Sequence, residues 1–362
     1  MLKFNIGNKY VGEKYPIFIV AELSGNHLGE FSNAIKLIKI AKKAGADAIK
    51  LQTYTPDTIT IDCDSEYFKI KEGTLWDGKT LYELYKEAYT PWEWFPKLKQ
   101  IAQEEDIILF STPFDETAVK FLEELRVPCY KIASFEITDI PLIEYIASMK
   151  KPVIISTGIA MRSDIEEAVN VCKRVGNNQI ALLKCTSAYP APLEEVNLKT
   201  IPNLKEVFKT VVGLSDHTLG ISVPIAAIAL GAKIIEKHLT LARSMGGPDA
   251  AFSLEPDEFK MMVKLVRETE KALGKVSYEL TDKMKKSRKF ARSLFVVKDM
   301  KAGEVFTEEN VRSIRPGDGL DPKYIKDILG KKAVANITRG TPLQREMIAK
   351  KVKRDDCNFQ KG

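Results

Sequence analysis

No stretch of this 362-residue chain approaches about 18 consecutive uncharged apolar residues, so no membrane-spanning helix is expected. The first apolar run, PIFIVAE, is interrupted at Glu22 and no small-residue cleavage site follows it, which argues against a secretory leader. Cysteine is sparse: Cys63, Cys129, Cys172, Cys185 and Cys357 are odd in number and form no CxxC pair. A disulfide scaffold and a thiolate zinc site are both disfavoured, and a reducing cytoplasm is the expected setting. Histidine is scarcer still, at three residues. No basic helix interleaved with aromatics appears, and no GxGxxG, P-loop or HExxH motif is present. The net charge of +6 is therefore not read as a nucleic-acid surface. Its excess lies after about residue 283, where basic residues outnumber acidic ones roughly two to one, and suits attraction of small anionic substrates.

The chain does contain, at 44% hydrophobic and 29% charged residues, an ordinary globular composition with a length sufficient for about two domains. Eight short apolar runs read as buried parallel strands: PIFIVAE (16–22), ADAIKLQ (46–52), DIILFST (106–112), CYKIAS (129–134), PVIIST (152–157), IALLKCT (180–186), VVGLSD (211–216) and AKIIEKH (232–238). Amphipathic helical patterns alternate with them, among them FSNAIKLIKIAKKAG and PDEFKMMVKLVRETEKALG, each ending at a glycine. Eight strand–helix units in about 260 residues predict an α/β fold, a (β/α)8 TIM barrel over residues 1–274. A polar segment at 275–290 reads as a linker, a small β-rich domain with turn glycines at Gly303, Gly317 and Gly340 as residues 291–350, and 351–362 as a disordered charged tail. An aromatic-rich insertion from about Tyr54 to Thr90, with Tyr67, Phe68, Trp76, Tyr82, Tyr85 and Tyr89, either covers one mouth of the barrel or forms a surface flap.

In such a barrel the chemistry sits at the C-terminal ends of the strands. Polar residues fall there in every unit: Glu22; Lys50 and Gln52; Ser111 and Thr112; Lys131 and Ser134; Ser156 and Thr157; Lys184, Thr186 and Ser187; Ser215, Asp216 and His217; Glu236, Lys237 and His238. Their burial at one mouth demands compensation by each other or by a ligand. His217 and His238 close neighbouring strands, so they are either hydrogen-bonded core histidines or two ligands to one divalent ion, with Mn²⁺, Mg²⁺ or Co²⁺ favoured over structural zinc. For His27, nearer a turn, the core and site readings stand equal. Lys50, Lys131, Lys184 and Lys237 are costly to bury without an anion. They bind a substrate phosphate and carboxylate with the nearby hydroxyls, or one of them forms a Schiff base.

The blocks AELSGNH, KLQTYTPDTIT, LWDGKTLYELYKEAYTPWEW, FSTPFDETAVKFLE, YKIASFE, ISTGIA, LLKCTSAYP, GLSDHTLG, GAKIIEKHLT and GGPDAAFSLEP occur in this order, and resemble the sialic acid synthase family in its pseudaminic acid branch. The resemblance runs from about Ile17 to Ile348 and extends to ARSLFVVKDMKAGEVFTEENVRSIRPGDG, which is similar to an antifreeze-like (SAF) domain. It implies a metal-dependent condensation of phosphoenolpyruvate with an acetamido sugar aldehyde by a domain-swapped homodimer, acting on neither nucleic acid nor membrane. Carried over by motif, His217 and His238 hold the metal, and Lys50, Thr112, Lys131, Ser134, Ser156 and Ser215 bind phosphoenolpyruvate. Glu22, Gln52, Glu136, Tyr189 and Asp249 face the sugar or the reacting centre, with Glu136 guiding water, and Arg315 of RPGDG reaches in from the partner. Two departures stand out: Ser187 in CTS occupies a position where the neuraminate synthases carry Asn against phosphoenolpyruvate, and Phe95 after WEW stands where His is expected. An N-acetylmannosamine or legionaminate-precursor substrate, a Schiff-base aldolase and a non-catalytic sugar- or ice-binding protein are the alternatives.

Overall fold

Eight parallel strands close into a barrel in the computed structural model, which describes residues 2–71 and 73–350. The tail 351–362 lies outside the described residues. Two strands precede the barrel, β1 (Lys3–Ile6) and β2 (Lys9–Gly12), joined in an antiparallel hairpin that the sequence reading did not include. The barrel strands are β3 (Phe18–Glu22), β4 (Ala48–Thr53), β5 (Ile108–Pro113), β6 (Tyr130–Ile132), β7 (Val153–Ser156), β8 (Ile180–Cys185), β9 (Val211–Asp216) and β10 (Ile234–His238). Each of the eight expected runs overlaps one of them, β4 and β5 extending one residue beyond, and β10 pairs with both β9 and β3 to close the ring.

Side chains alternate across each strand, and the alternation sorts the core into two bodies. Ile19, Ile49, Leu51, Tyr130, Ile155, Leu182, Leu214 and Ile235 point outward into the layer shared with the helices. Phe18, Val20, Ala48, Phe110, Ile154, Ala181, Leu183, Val211 and Ile234 fill the lower barrel interior, where Phe4, Ile6 and Val11 of the hairpin join them. The hairpin thus stoppers the N-terminal end of the barrel. Each such fully buried branched or aromatic side chain contributes about 1.5–3 kcal/mol of burial free energy. Strands buried on both faces read as continuous apolar runs, which is why sequence located them without showing which face was inner.

The helices bury one stripe each against the outer layer. Helix Phe31–Ala44 buries Ala34, Leu37, Ile38 and Ala41 and stops at Gly45, whose φ of 94° suits a residue without Cβ and whose N–H caps the carbonyls of Ala41 and Lys42. Helix Pro256–Leu273 starts with Pro at its first turn beside Asp257 and Glu258, and buries Phe259, Met262, Val263 and Val266. Its Arg267 ties the bottom of the barrel together, donating to the Ile17 carbonyl at 2.8 Å and to Asp47 at 3.0 Å; Asp47 also takes the Ile19 N–H at 2.8 Å. Phe95, where a histidine was expected, is fully buried in the outer layer and meets Phe121 edge-on at 5.5 Å.

The chain divides into two compact units, Met1–Gly274 and Lys275–Gly362. Within the second, the 275–290 segment contains a short helix, Asp282–Ser287, capped by Thr281. Strands β11 (Ser293–Val296) and β12 (Val311–Ile314) pair antiparallel over a core of Leu294, Val296, Met300, Phe306, Val311, Ile328, Ile337 and Leu343. No helix among the described residues is long and apolar enough to cross a membrane.

Candidate active site

The inner face changes character one step above the apolar filling. Continuing the same alternation upward brings Glu22 from β3, Lys50 and Gln52 from β4, Thr112 from β5, Lys131 from β6, Ser156 from β7, Cys185 from β8, Ser215 and His217 from β9, and Glu236 and His238 from β10 to the C-terminal mouth. Most of these, with Ser24, Ser134, Glu136, Tyr189 and Asp249 from the loops, line a cavity of about 300 Å³. Glu22 and Thr112 stand behind Lys50, at 2.5 Å and 3.3 Å from its Nζ.

Two ammonium groups and two carboxylates form the floor. Lys131 Nζ donates to Glu236 Oε1 at 2.9 Å, Ser215 Oγ donates to the same oxygen at 3.2 Å, and Lys50 lies 3.6 Å from it. Burial opposes the Glu236 charge, but Lys131 and Lys50 override it and hold the carboxyl down at about 2. Burial likewise works against Lys50, yet Glu22 and Glu236 hold it above the ordinary lysine range. For Lys131, burial prevails and lowers its proton affinity. Gln52 braces Glu22, donating to Oε1 at 3.2 Å and to Ser24 Oγ at 2.9 Å.

Several buried atoms around this floor have no protein partner among the described residues: Glu236 Oε2, Glu136 Oε2, Ser156 Oγ and His238 Nδ1. Buried polar atoms are normally paired, so their convergence on one cavity marks a surface built for a polar ligand. Glu136 sits on the short turn Ser134–Glu136 after β6, where burial pushes its carboxyl up to about 7, a value suited to moving protons near neutrality. Gly158 brings its N–H to Ser134 Oγ at 3.1 Å. A Cβ at that position would stand 2.1 Å from Ser187 Oγ and 2.7 Å from Ser134 Oγ, so any side chain there would displace both hydroxyls.

His217 and His238 face each other with ring centroids 5.4 Å apart, and Phe252 packs on His238 at 4.9 Å. His217 Nδ1 lies 3.0 Å from the Thr186 carbonyl, which fixes the proton on that nitrogen and leaves Nε2 as the donor for a ligand. Burial, reinforced by His217 and the nearby lysines, keeps His238 well below the usual histidine range and hence neutral. Its unpartnered Nδ1 is 3.9 Å from Asp249. Among the described residues no group of three or more His, Cys, Asp or Glu is arranged as a ligand set, so the pair itself offers two protein donors. Two facing imidazoles, one of them held neutral with a free buried nitrogen, fit a divalent ion that keeps open positions.

Other expected residues take different places. Lys184 points away from the mouth and donates to the Cys185 carbonyl at 2.6 Å. Lys237 lies on the outer face of β10, paired with Asp216 at 2.6 Å and bonded to the Thr218 carbonyl. Ser111 bonds Thr53 across 2.7 Å, also outside the cavity. The four-lysine anion site expected from sequence therefore reduces to Lys50 and Lys131. His27 is a buried latch: its Nδ1 accepts the Gly29 N–H, its Nε2 meets Thr90 Oγ1 at 3.1 Å, and burial depresses it to about 4. Ser187 stands by Gly158, its buried hydroxyl without a protein partner among the described residues. Arg315 is exposed just after β12 in the second unit.

The structure also adds residues that sequence left without a role. Glu236 organises the floor, and its place two residues before His238 was the available signal. Cys185 Sγ lies 3.7 Å from His217 Nδ1. Of the insertion's aromatics, Trp76 and Tyr85 reach the cavity, together with Tyr54, while Tyr67 is exposed.

The NeuB family matches residues 37–278, and the SAF domain matches residues 291–349. The chain belongs to the NeuB family. This NeuB chain is 50% identical over 339 residues to the pseudaminic acid synthase of Campylobacter jejuni, with 94% of this chain and 98% of that one covered. It is 46% identical over 334 residues to the pseudaminic acid synthase of Helicobacter pylori, covering 92% and 98%. Among solved structures it resembles the spore coat polysaccharide biosynthesis protein SpsE of Bacillus subtilis, at a TM-score of 0.66 and 36% identity, covering 96% of this chain and 99% of that one.

Proposed function

We propose that this chain is a transferase that condenses phosphoenolpyruvate with 2,4-diacetamido-2,4,6-trideoxy-L-altrose, giving pseudaminic acid and phosphate. The observation that carries the reading is the buried floor of Lys50, Lys131 and unpartnered polar atoms at the barrel mouth of a chain 50% identical over 339 residues to a pseudaminic acid synthase.

Lys50 and Lys131 receive the phosphate and carboxylate of phosphoenolpyruvate, exchanging part of their hold on Glu22 and Glu236 for the anion. Hydroxyls of Ser134, Ser156, Ser187 and Ser215 complete its binding, while Thr112 and Glu22, behind Lys50, hold that ammonium in place. Gln52, Tyr189 and Asp249 orient the acceptor. A divalent ion on His217 and His238, Mn²⁺ in the first instance and otherwise Mg²⁺ or Co²⁺, supplies Lewis acidity to the acceptor's aldehyde oxygen when bound. C3 of phosphoenolpyruvate forms the new C–C bond to the aldehyde carbon, and cationic character develops at C2. Glu136, in its carboxylate form, takes a proton from water as the water oxygen bonds to C2. The C2–O bond to phosphate then breaks with its electron pair leaving on phosphate, which takes the proton of the C2 hydroxyl as that becomes the ketone, while the proton held by Glu136 passes to the oxyanion left at the former aldehyde. We extend the same proposal to a homodimer in the cytoplasm, with Arg315 of one copy completing the mouth of another.

The test is phosphate release from phosphoenolpyruvate with Mn²⁺, offering the altrose sugar beside N-acetylmannosamine and the legionaminate precursor, with and without EDTA, in ¹⁸O-labelled water. The expected result is EDTA-sensitive turnover of the altrose sugar with label at C2 of the product. Label in the phosphate contradicts the mechanism, and preference for another sugar contradicts the assigned acceptor.

A further inference from the structure

The cavity has two unlike walls. The floor carries the charged and hydroxyl groups, whereas the loops beyond the strand ends add Ile59, Trp76, Leu84 and Tyr85 of the 54–90 insertion with Phe114 from the loop after β5. Ile59, Leu84 and Phe114 present only carbon, while Tyr85 adds a phenol close enough to Glu136 to feel its charge. The single donor of Trp76 is already committed, since its Nε1 donates to the Pro248 carbonyl at 3.0 Å across 172 residues of sequence. That bond clasps the insertion to the loop after β10, and the indole also meets the Tyr189 ring at 5.6 Å, itself 4.5 Å from His217. Behind the wall, buried Tyr54 abuts Tyr85 at 5.6 Å and Phe114 at 5.1 Å, so the apolar surface is backed by packed rings.

We propose that this wall is the acceptor-selecting element of the site, favouring a sugar whose far end is a methyl over one ending in a hydroxymethyl group. The inference rests on the proposed reaction only in setting the aldehyde beside the floor, which sends the opposite end of the carbon chain to the wall. Against the carbon of Leu84 and Ile59 a hydroxyl is stripped of water without receiving a hydrogen bond, while a methyl gains contact. Trp76 acts as the clasp that holds the wall across the mouth, and Leu84 is the carbon surface that the methyl meets.

The test uses two unreactive acceptors, the alditols of the 6-deoxy sugar and of its 6-hydroxy counterpart, titrated calorimetrically into the full chain in Mn²⁺. Wild type is expected to bind the 6-deoxy alditol about 10- to 100-fold more tightly. Leu84→Asn is expected to bring the ratio close to one, and Trp76→Ala, at a partly exposed position, to reduce it while leaving the barrel folded. Equal affinities in wild type, no binding of either alditol, or a ratio unchanged in Trp76→Ala overturns the proposal. The corresponding aldehydes separate this from the reaction itself. Selective alditol binding without phosphate release from either aldehyde discards the reaction and keeps the wall; release with equal kcat/KM for both keeps the reaction and discards the wall.

Discussion

Lys131 and Lys237 are buried to the same degree and each is paired with a carboxylate, yet they sit on opposite faces of the barrel wall. The outer pair is closed: Asp216 Oδ2 holds Lys237 at 2.6 Å, Oδ1 takes the Thr218 N–H and hydroxyl at 3.0 and 2.8 Å, and Lys237 also reaches the Thr218 carbonyl. The inner pair is open, because Glu236 keeps one buried oxygen without a partner and borders the cavity. Burial and charge are thus common to a strut and to a binding floor. Unsatisfied atoms beside free space distinguish them.

The sharpest way to break this comparison is to neutralise each lysine in turn. Lys131→Met is expected to lower kcat/KM for phosphoenolpyruvate by about 10³-fold, the scale of losing a buried group that stabilises transition-state charge, with a smaller loss of Tm than Lys237→Met because Lys50 remains 3.6 Å from Glu236. Lys237→Met is expected to do the reverse, destabilising the fold by about 3–5 kcal/mol because Asp216 remains as an unpaired buried charge. Thermal melts and steady-state kinetics on both variants check it, and an exchange of the two phenotypes refutes the division.

A smaller effect sharpens the picture of the inner face. With Glu136 raised to about 7, its carboxyl is protonated below that pH and unable to accept a proton from water. The expected kcat/KM therefore rises as pH increases through about 7 and levels above it; Glu136→Gln abolishes that limb along with most of the rate. A pH profile of phosphate release measures both. The smallest effect concerns His27, a structural histidine whose folded-state proton affinity is depressed to about 4 by burial. The unfolded chain binds this proton more readily, so stability falls as pH drops from about 6.5 toward 4. His27→Gln is expected to flatten that part of the stability curve, measured by urea melts across the range.

Much of the barrel was legible because its strands are short β-branched runs between helix stops, as in PVIIST and AKIIEKH. The mouth was legible as a set of polar strand ends but not as a sorted set. In a parallel barrel both strand faces are apolar below the mouth, so nothing local shows whether Lys237 or His238 points inward. Counting by twos from His238 would have placed Glu236 on the floor and Lys237 outside it. The hairpin KFNIGNKYVG was missed although Phe4 and Ile6 already alternate with Lys3 and Asn5 ahead of a Gly-Asn turn. The contact of Trp76 with Pro248 had no local signal at all, since it depends on chain closure over the mouth.

The most direct measurement is calorimetric titration of phosphoenolpyruvate into wild type, Lys131→Met and Lys237→Met. An inner, open pair predicts that Lys131→Met loses at least about 30-fold in affinity, the cost of removing one partner of a buried charge contact, while folded Lys237→Met binds like wild type. Undiminished binding by Lys131→Met would contradict the assignment of the floor.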